Sequence, residues 1–473
     1  MFVTSEFPSE NPRRQTRNYS YTNTLGLIHK KKQYRKLNNK IFELVSVIEE
    51  IKPEKVKQKK SDEPSNLKGS SVINLGKVSN IKRYNTDELG NKLNYSQDLK
   101  GGGHIRFNNE NYRKVIEIAE SIIETKEFNE FTDVAFIEEH ICNWAFKTYI
   151  EKRANEEPIN YLRRILDDKK QEYIFYFSTT GLHIEENLVI GNSELIHIDE
   201  DFLNRKKAEY KKDNNNYDRA TLEGLTKALN NQIVFKSIGI GTNEFARKKA
   251  VQNVKISANL LKMFLLVEIN DPNTRLFDLE FDTYLIPMHT SFSETNTDKF
   301  DLSHNLSANY GAKPTEFTKK RLKEIEKLGF NFIKNYLDKK ASSELDYFIR
   351  DLIIQAGRYS SQLNPYEKNV MMISWFESIF IQEQKGKSRG LTKLKLFVIP
   401  NLVPSNETEL LEKIFISHYR IRDRYLHNGL ELRFDNNLFY KFHYVAIIML
   451  KKLITLSENI NTKSGIIDYF EKN

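Results

Sequence analysis

The chain has 473 residues, 39% of them hydrophobic, and a formal net charge of +9. That length holds two or three domains, and so low an apolar share implies that part of the chain is unpacked. A single cysteine, Cys142, excludes an intrachain disulfide and a cysteine-based zinc site, and suits a reducing cytosol.

The charge is uneven. Residues 1–103 carry 20 Lys+Arg against 11 Asp+Glu, while the rest carry 53 against 53. A basic segment of this kind points to an anionic partner, nucleic acid first, or simply to a solvated arm. The opening residues lack the apolar core of a signal peptide. No apolar run approaches the roughly 20 residues that span a bilayer. The expectation is a soluble cytoplasmic protein with no membrane partner.

In chain order, residues 1–103 read as a basic, mostly disordered arm. It contains one amphipathic helix from Gln33 to Glu50, with Leu37, Ile41, Leu44 and Ile48 on one side. A charge run from Lys52 to Lys60 follows, and Gly101-Gly102-Gly103 makes a flexible break.

Residues 104–340 read as an α+β middle domain with a sensor or regulatory role. Helices are predicted across Asn111–Thr125 and Thr132–Arg153. Tyr173–Phe177 is aromatic and β-branched, a strand signature. Leu182–Ile184, Leu188–Ile190 and Leu195–Ile198 are short apolar runs separated by turn residues, as in hairpins. Ile233–Ile240 is a further strand. Phe245–Phe264 carries Ala246, Ala250, Val254, Ala258 and Leu261 at helical spacing. More strand signal lies in Leu276–Ile286.

From Glu316 strand signals stop. Helices are predicted at 316–338, 342–358, 366–383, 407–428, 437–457 and 464–471. Residues 341–473 thus read as an all-α C-terminal bundle with a core of Ile353, Ile354, Val370, Ile373, Phe376, Ile379 and Phe380. The fold class is multidomain: disordered arm, α+β domain, helical bundle.

Chemistry concentrates in Arg422-Asp423-Arg424-Tyr425-Leu426-His427-Asn428-Gly429. Arginine is a permanent planar cation suited to phosphate, and histidine exchanges a proton near neutral pH. With 22 arginines and 10 histidines in the chain, this spacing arises by chance about half a time. Context adds weight. Asn406 and Glu409 form a capping box and Asn428-Gly429 a stop. Leu411, Ile414, Phe415, Ile421 and Tyr425 make an apolar stripe, which His418 and Arg422 share. An arginine there needs a partner. From the residues alone, an ion pair with Asp423 or Glu377 is the plainer account, and His418 is a packed core histidine. On one ideal helix Arg422 and His427 point about 140° apart. They meet only if the helix loosens at Leu426–Gly429 or if each serves a neighbouring copy.

Weaker candidates are Gly239-Ile240-Gly241-Thr242, an ordinary strand-to-helix turn rather than a phosphate loop, and His183 with His197, whose strands would have to align to hold a metal. Ser178–Gly181 lacks a nucleophile-elbow pattern. No metal and no cofactor are expected.

The Arg422–His427 segment, its place near the C-terminus, and the upstream helix Ile373-Ser374-Trp375-Phe376-Glu377-Ser378-Ile379-Phe380 resemble the HEPN superfamily, specifically its Apea-like group. The resemblance covers residues 340–460, with Gly429 one place later than the usual glycine, and extends weakly to Ile233–Phe264. It implies a metal-independent endoribonuclease, in a defence or toxin role, that leaves 2′,3′-cyclic phosphate ends. Arg422 would bind the scissile phosphate, His427 would act as general acid or base, and Asp423 would orient one of them. Glu377, Tyr425 and Asn428 would support the site, and Arg420 and Arg424 would bind flanking RNA. The implied partners are RNA, a second copy in a homodimer, and an unidentified trigger or antitoxin. The alternative is a non-catalytic HEPN-like module that binds RNA or protein.

Overall fold

The computed structural model describes residues 32–52, 82–83, 94–99, 102–212, 231–269, 276–279, 287–295, 300–307, 315–380, 402, 405–432 and 435–472. These are mostly helical, with strand-containing regions besides. The chain forms two compact units. The first comprises residues 1–170 with 241–245, the second residues 171–240 with 246–473. These boundaries differ from those predicted at 103/104 and 340/341. Among the described residues no helix is long and apolar enough to cross a membrane.

In the first unit, helix α1 (residues 32–45) precedes strands β1 (Glu49–Ile51), β2 (Lys82–Arg83), β3 (Tyr95–Asp98) and β4 (His104–Phe107), and helices α2 (Asn109–Ile123), α3 (Lys126–Asn129), α4 (Val134–Glu151) and α5 (Pro158–Lys169) follow. The strands form an antiparallel sheet in the order β1-β4-β3-β2. Helix starts are set by side-chain caps: Asn108 accepts from the Asn111 amide and Asp133 from the Phe136 amide, each satisfying an amide the helix leaves unpaired.

Leu37, Ile41 and Leu44 lie on one helix face as predicted, but the helix ends at residue 45, with Ile48 beyond it and Glu49–Ile51 in β1, and the arm is not an arm where it is described. Leu37, Ile41, Leu44 and Ile48 are buried in one cluster with Ile105, Phe107, Tyr112 and Phe146. Polar ties reinforce this. Asn38 accepts from the Ile159 amide at 3.0 Å and donates to Glu157 at 2.9 Å, and the Tyr34 hydroxyl donates to Glu127 at 2.7 Å. An apolar stripe of this width has to be covered, and α2, α4 and α5 cover it. Most of the rest of the predicted arm, with nearly all of the charge run from Lys52 to Lys60, lies outside the described residues.

In the second unit come β5 (Gln171–Thr180), β6 (Leu182–Ile184), β7 (Leu188–Ile190), β8 (Ser193–Ile198), α6 (Glu200–Lys212), β9 (Gln232–Gly241) and α7 (Asn243–Ile269), the last two apart from residues 241–245, then β10 (Asp278–Leu279), β11 (Pro287–Thr295), β12 (Phe300–Ser307) and β13 (Thr315–Phe317). The helices that follow are α8 (Lys319–Lys327), α9 (Phe330–Leu337), α10 (Glu344–Ser361), α11 (Pro365–Phe380), α12 (Ser405–Asn428), α13 (Asn436–Leu456) and α14 (Lys463–Lys472). A seven-stranded sheet runs β12-β11-β5-β9-β8-β7, with β10 also paired to β5, and β6 pairs in parallel with β13. The β7–β8 hairpin is as predicted, with Leu188 opposite Leu195.

Two local expectations change. Thr315–Phe317 is a strand, with its outer two side chains buried and Glu316 exposed, and the helix begins only after Thr318, whose side chain caps the Arg321 amide. Gly329, at φ +100°, then divides the predicted helix 316–338 into α8 and α9. Part of the predicted strand Leu276–Ile286 and the end of the predicted helix 366–383 fall outside the described residues.

The centre of this unit is α7. Every residue from Ile256 to Leu266 is buried, and a helix buried on all sides lies inside a core rather than on it. It joins sheet residues such as Phe177 and Phe235 to bundle residues such as Ile349, Phe376 and Met449 in one cluster. The predicted break at 340/341 therefore cuts through a continuous core. Of the predicted bundle core, Ile353, Ile354, Ile373, Phe376, Ile379 and Phe380 are buried and Val370 is half-buried. Gly357 allows α10 to approach α7, since a Cβ there would lie 2.3 Å from Asn259 Cβ.

Candidate functional site at the end of helix α12

Helix α12 buries Leu411, Ile414, Phe415, His418, Tyr419 and Ile421, so the predicted stripe faces the core. It begins at Ser405, so Asn406 lies inside the helix rather than before it, and Glu409 accepts from Lys413 one turn on, at 2.7 Å. The helix remains regular through His427 to Asn428. Gly429 then takes a left-handed φ of +61°, and its amide bonds the Tyr425 carbonyl at 3.0 Å. This is a common αL stop. No loosening precedes His427, so the single chain does not bring Arg422 and His427 together.

Arg422 lies at the edge of the core, 24% exposed, and faces two carboxylates. Nη1 donates to Asp423 at 2.8 Å and Nη2 lies 3.5 Å from Glu377 Oε2. Burial works against its charge, but the Asp423 bond and the Glu377 field outweigh it and hold its pKa above the ordinary arginine value. Both partners anticipated from sequence are thus engaged, and the Asp423 carboxylate contacts Arg422.

The remaining candidates have separate surroundings. His427 is exposed, and its ring makes no hydrogen bond among the described residues. Arg420 and Arg424 are exposed. With its amide oriented to satisfy both ends, Asn428 donates to the His427 carbonyl at 3.1 Å and accepts from Arg424 Nη1 at 3.2 Å. Tyr425 is half-buried and stacks on Tyr366, ring centres 5.4 Å apart. The Tyr366 hydroxyl donates to the Leu432 carbonyl at 2.8 Å, which fastens the segment after the helix.

His418 is a core histidine, as predicted. Asn369 donates to its carbonyl at 3.0 Å and accepts from Nδ1 at 2.7 Å, and its ring stacks on Phe442. Burial, more than any neighbour, brings its pKa down to about 4.

Tyr419 escaped the sequence reading. Its hydroxyl donates to Glu377 Oε1 at 2.7 Å, so the carboxylate facing Arg422 is held from a second side. Its position three residues before Arg422 places it on the same helix face, the only sequence cue that marks it.

The weaker candidates resolve by placement. The Thr242 amide in the glycine turn already donates to the Phe131 carbonyl at 2.8 Å. His183 and His197 are exposed and lie on strands of different sheets, β6 with β13 and β8 within the seven-stranded sheet. Compared with protein-family models, curated proteins and solved structures, the chain has no match.

Proposed function

We propose that this protein is a HEPN-like, metal-independent endoribonuclease of the Apea-like kind, acting in defence or as a toxin. One observation carries the proposal. A partly buried guanidinium and an exposed histidine occupy the last turns of one helix, with the exposed cations Arg420 and Arg424 beside them. Arg422 binds the scissile phosphate and stabilises the charge that grows on it. The RNA 2′-oxygen loses its proton to a general base and attacks phosphorus. The P–O5′ bond breaks and the 5′-oxygen takes up a proton, leaving a 2′,3′-cyclic phosphate and a 5′-hydroxyl. His427 serves one of the two proton transfers.

Because α12 stays helical to Asn428, the roughly 140° between Arg422 and His427 on one helix is closed by a second copy. The homodimer is part of the proposal, as is a trigger or antitoxin that controls it. The expected result is cleavage of single-stranded RNA in EDTA with cyclic phosphate ends. Arg422→Ala and His427→Ala should each abolish it while the fold survives. Normal cutting by both variants would discard the site.

The pairing of Arg422 with Glu377 and Asp423 favours one alternative, a non-catalytic HEPN-like module in which Arg422 is structural. Arg422→Ala would then cost about 3–5 kcal/mol of stability, and no variant would alter RNA ends.

A further inference from the structure

The guanidinium of Arg422 is only half used. Asp423 takes Nη1 at 2.8 Å. The other edge, Nε with Nη2, meets one Glu377 oxygen at 3.5 Å, and the buried Nε has no hydrogen-bond partner among the described residues. A carboxylate facing this edge ordinarily takes both donors with its two oxygens, at about 2.7–2.9 Å. Glu377 does not: its second oxygen accepts the Tyr419 hydroxyl at 2.7 Å, which orients the carboxylate from another side. Burial and then the Glu377 bond push the Tyr419 hydroxyl well above its ordinary pKa. It therefore stays protonated and serves as the donor to the carboxylate.

We propose that Tyr419 is a positioning residue that holds Glu377 back from a full fork with Arg422, and so keeps the partly exposed guanidinium available at Nη2 to a phosphodiester of single-stranded RNA. The inference rests on the ribonuclease reading above and adds a residue to it. Without the hydroxyl, Glu377 is free to turn both oxygens onto the fork. An ion pair tethered within one protein competes at high effective concentration with any phosphate arriving from solution. Tyr419→Phe keeps the buried ring and removes only the restraint, while Glu377→Gln removes the competing charge.

The experiment uses the full chain with a labelled 2′-deoxy oligonucleotide, which lacks the attacking hydroxyl, followed by fluorescence anisotropy. Cleavage of the matching ribo-oligonucleotide in EDTA is measured in parallel. Tyr419→Phe should weaken binding about tenfold, the scale of one charge-assisted hydrogen bond, and lower cleavage with it. Adding Glu377→Gln to Tyr419→Phe should restore binding, and Glu377→Gln alone should bind more tightly than wild type. Unchanged binding by Tyr419→Phe, or a double variant as weak as the single one, overturns the role of Tyr419. If Tyr419→Phe does not fold, Glu377→Gln alone decides: tighter binding supports the inference and unchanged binding overturns it. Loss of both activities in Arg422→Ala with none in Tyr419→Phe removes only this inference. Indifference of both to Arg422→Ala removes the ribonuclease reading and this inference with it.

Discussion

Acid should loosen the second unit through two core histidines, and His443 shows why. It is fully buried on α13. Its Nε2 lies 2.8 Å from the Met263 carbonyl on α7, and Nδ1 lies 2.9 Å from the Tyr359 hydroxyl on α10. A carbonyl only accepts, so Nε2 carries the proton and Nδ1 accepts from Tyr359. The neutral ring thus satisfies both neighbours. Burial foremost, with the charge of Lys368 adding, brings its pKa down to about 4. An unfolded histidine titrates near 6.5. Between those values the unfolded chain binds a proton that the folded chain refuses, so stability falls as pH is lowered through this window. A gap of roughly two and a half pH units, at about 1.4 kcal/mol each, corresponds to about 3 kcal/mol lost by pH 4. His418 contributes in the same direction. Denaturant unfolding at pH 7, 5.5, 4.5 and 4 follows the effect, read from Trp375, which is buried in this unit, in a Trp144→Phe background. His443→Gln should be less stable than wild type at pH 7 yet lose about 3 kcal/mol less on going to pH 4. Parallel pH profiles for the two proteins would refute the assignment of the acid sensitivity to His443.

Ile41→Ala should destabilise the first unit by about 2–5 kcal/mol, seen in the Trp144 fluorescence midpoint. A negligible effect would mean that residues 32–45 are the loose arm their composition suggests. Gly357→Ala should cost about 1–3 kcal/mol or more, because its Cβ would sit 2.3 Å from Asn259; the denaturation midpoint of the second unit would report it. Gly239→Ala meets the Ala246 carbonyl oxygen at 2.2 Å. Backbone cannot rotate away as a side-chain end does, so its midpoint should also fall clearly below that of wild type.

Periodicity made the elements legible where one face alone is apolar. Leu37, Ile41 and Leu44 mark their helix face correctly, while Ile48, buried as well, lies past the helix end, and the alternation around Leu188 and Leu195 marks a hairpin. Composition misled where it was averaged over a long window. The charges of residues 1–103 hide β1 and β3, and make the predicted helix there read as part of an arm, although its apolar side chains belong to a core supplied mostly by later residues. Strands β11 and β12 were missed because Pro287–Thr295 and Phe300–Ser307 are rich in Ser, Thr and charged residues, and their pairing is set by neighbours rather than by propensity. The domain break at 340/341 failed for a different reason. The change from mixed to purely helical signal is real, but it records a change of secondary structure, not of core. The clue was in α7, whose run from Ile256 to Leu266 is too apolar all round for a helix with one solvent face.

The candidate site was legible as a set of residues and not as a geometry. Sequence placed Arg422 on a buried stripe and named Glu377 and Asp423 as its partners, and both are engaged. That success weakens as much as it supports. An arginine already met by carboxylates is what a structural ion pair looks like, and spacing cannot separate the two cases. What separates them is how the arginine is met. A structural pair is stabilised by filling the fork, since a buried donor left unpaired costs about 1–3 kcal/mol. Here Nε is left without a hydrogen-bond partner among the described residues, while the oxygen that would fill it is bonded to Tyr419. Tyr419 thus engages the carboxylate that would otherwise be free to complete the fork. That is the ground for expecting Arg422 to take an external anion, and for making Tyr419 the residue on which the two accounts divide.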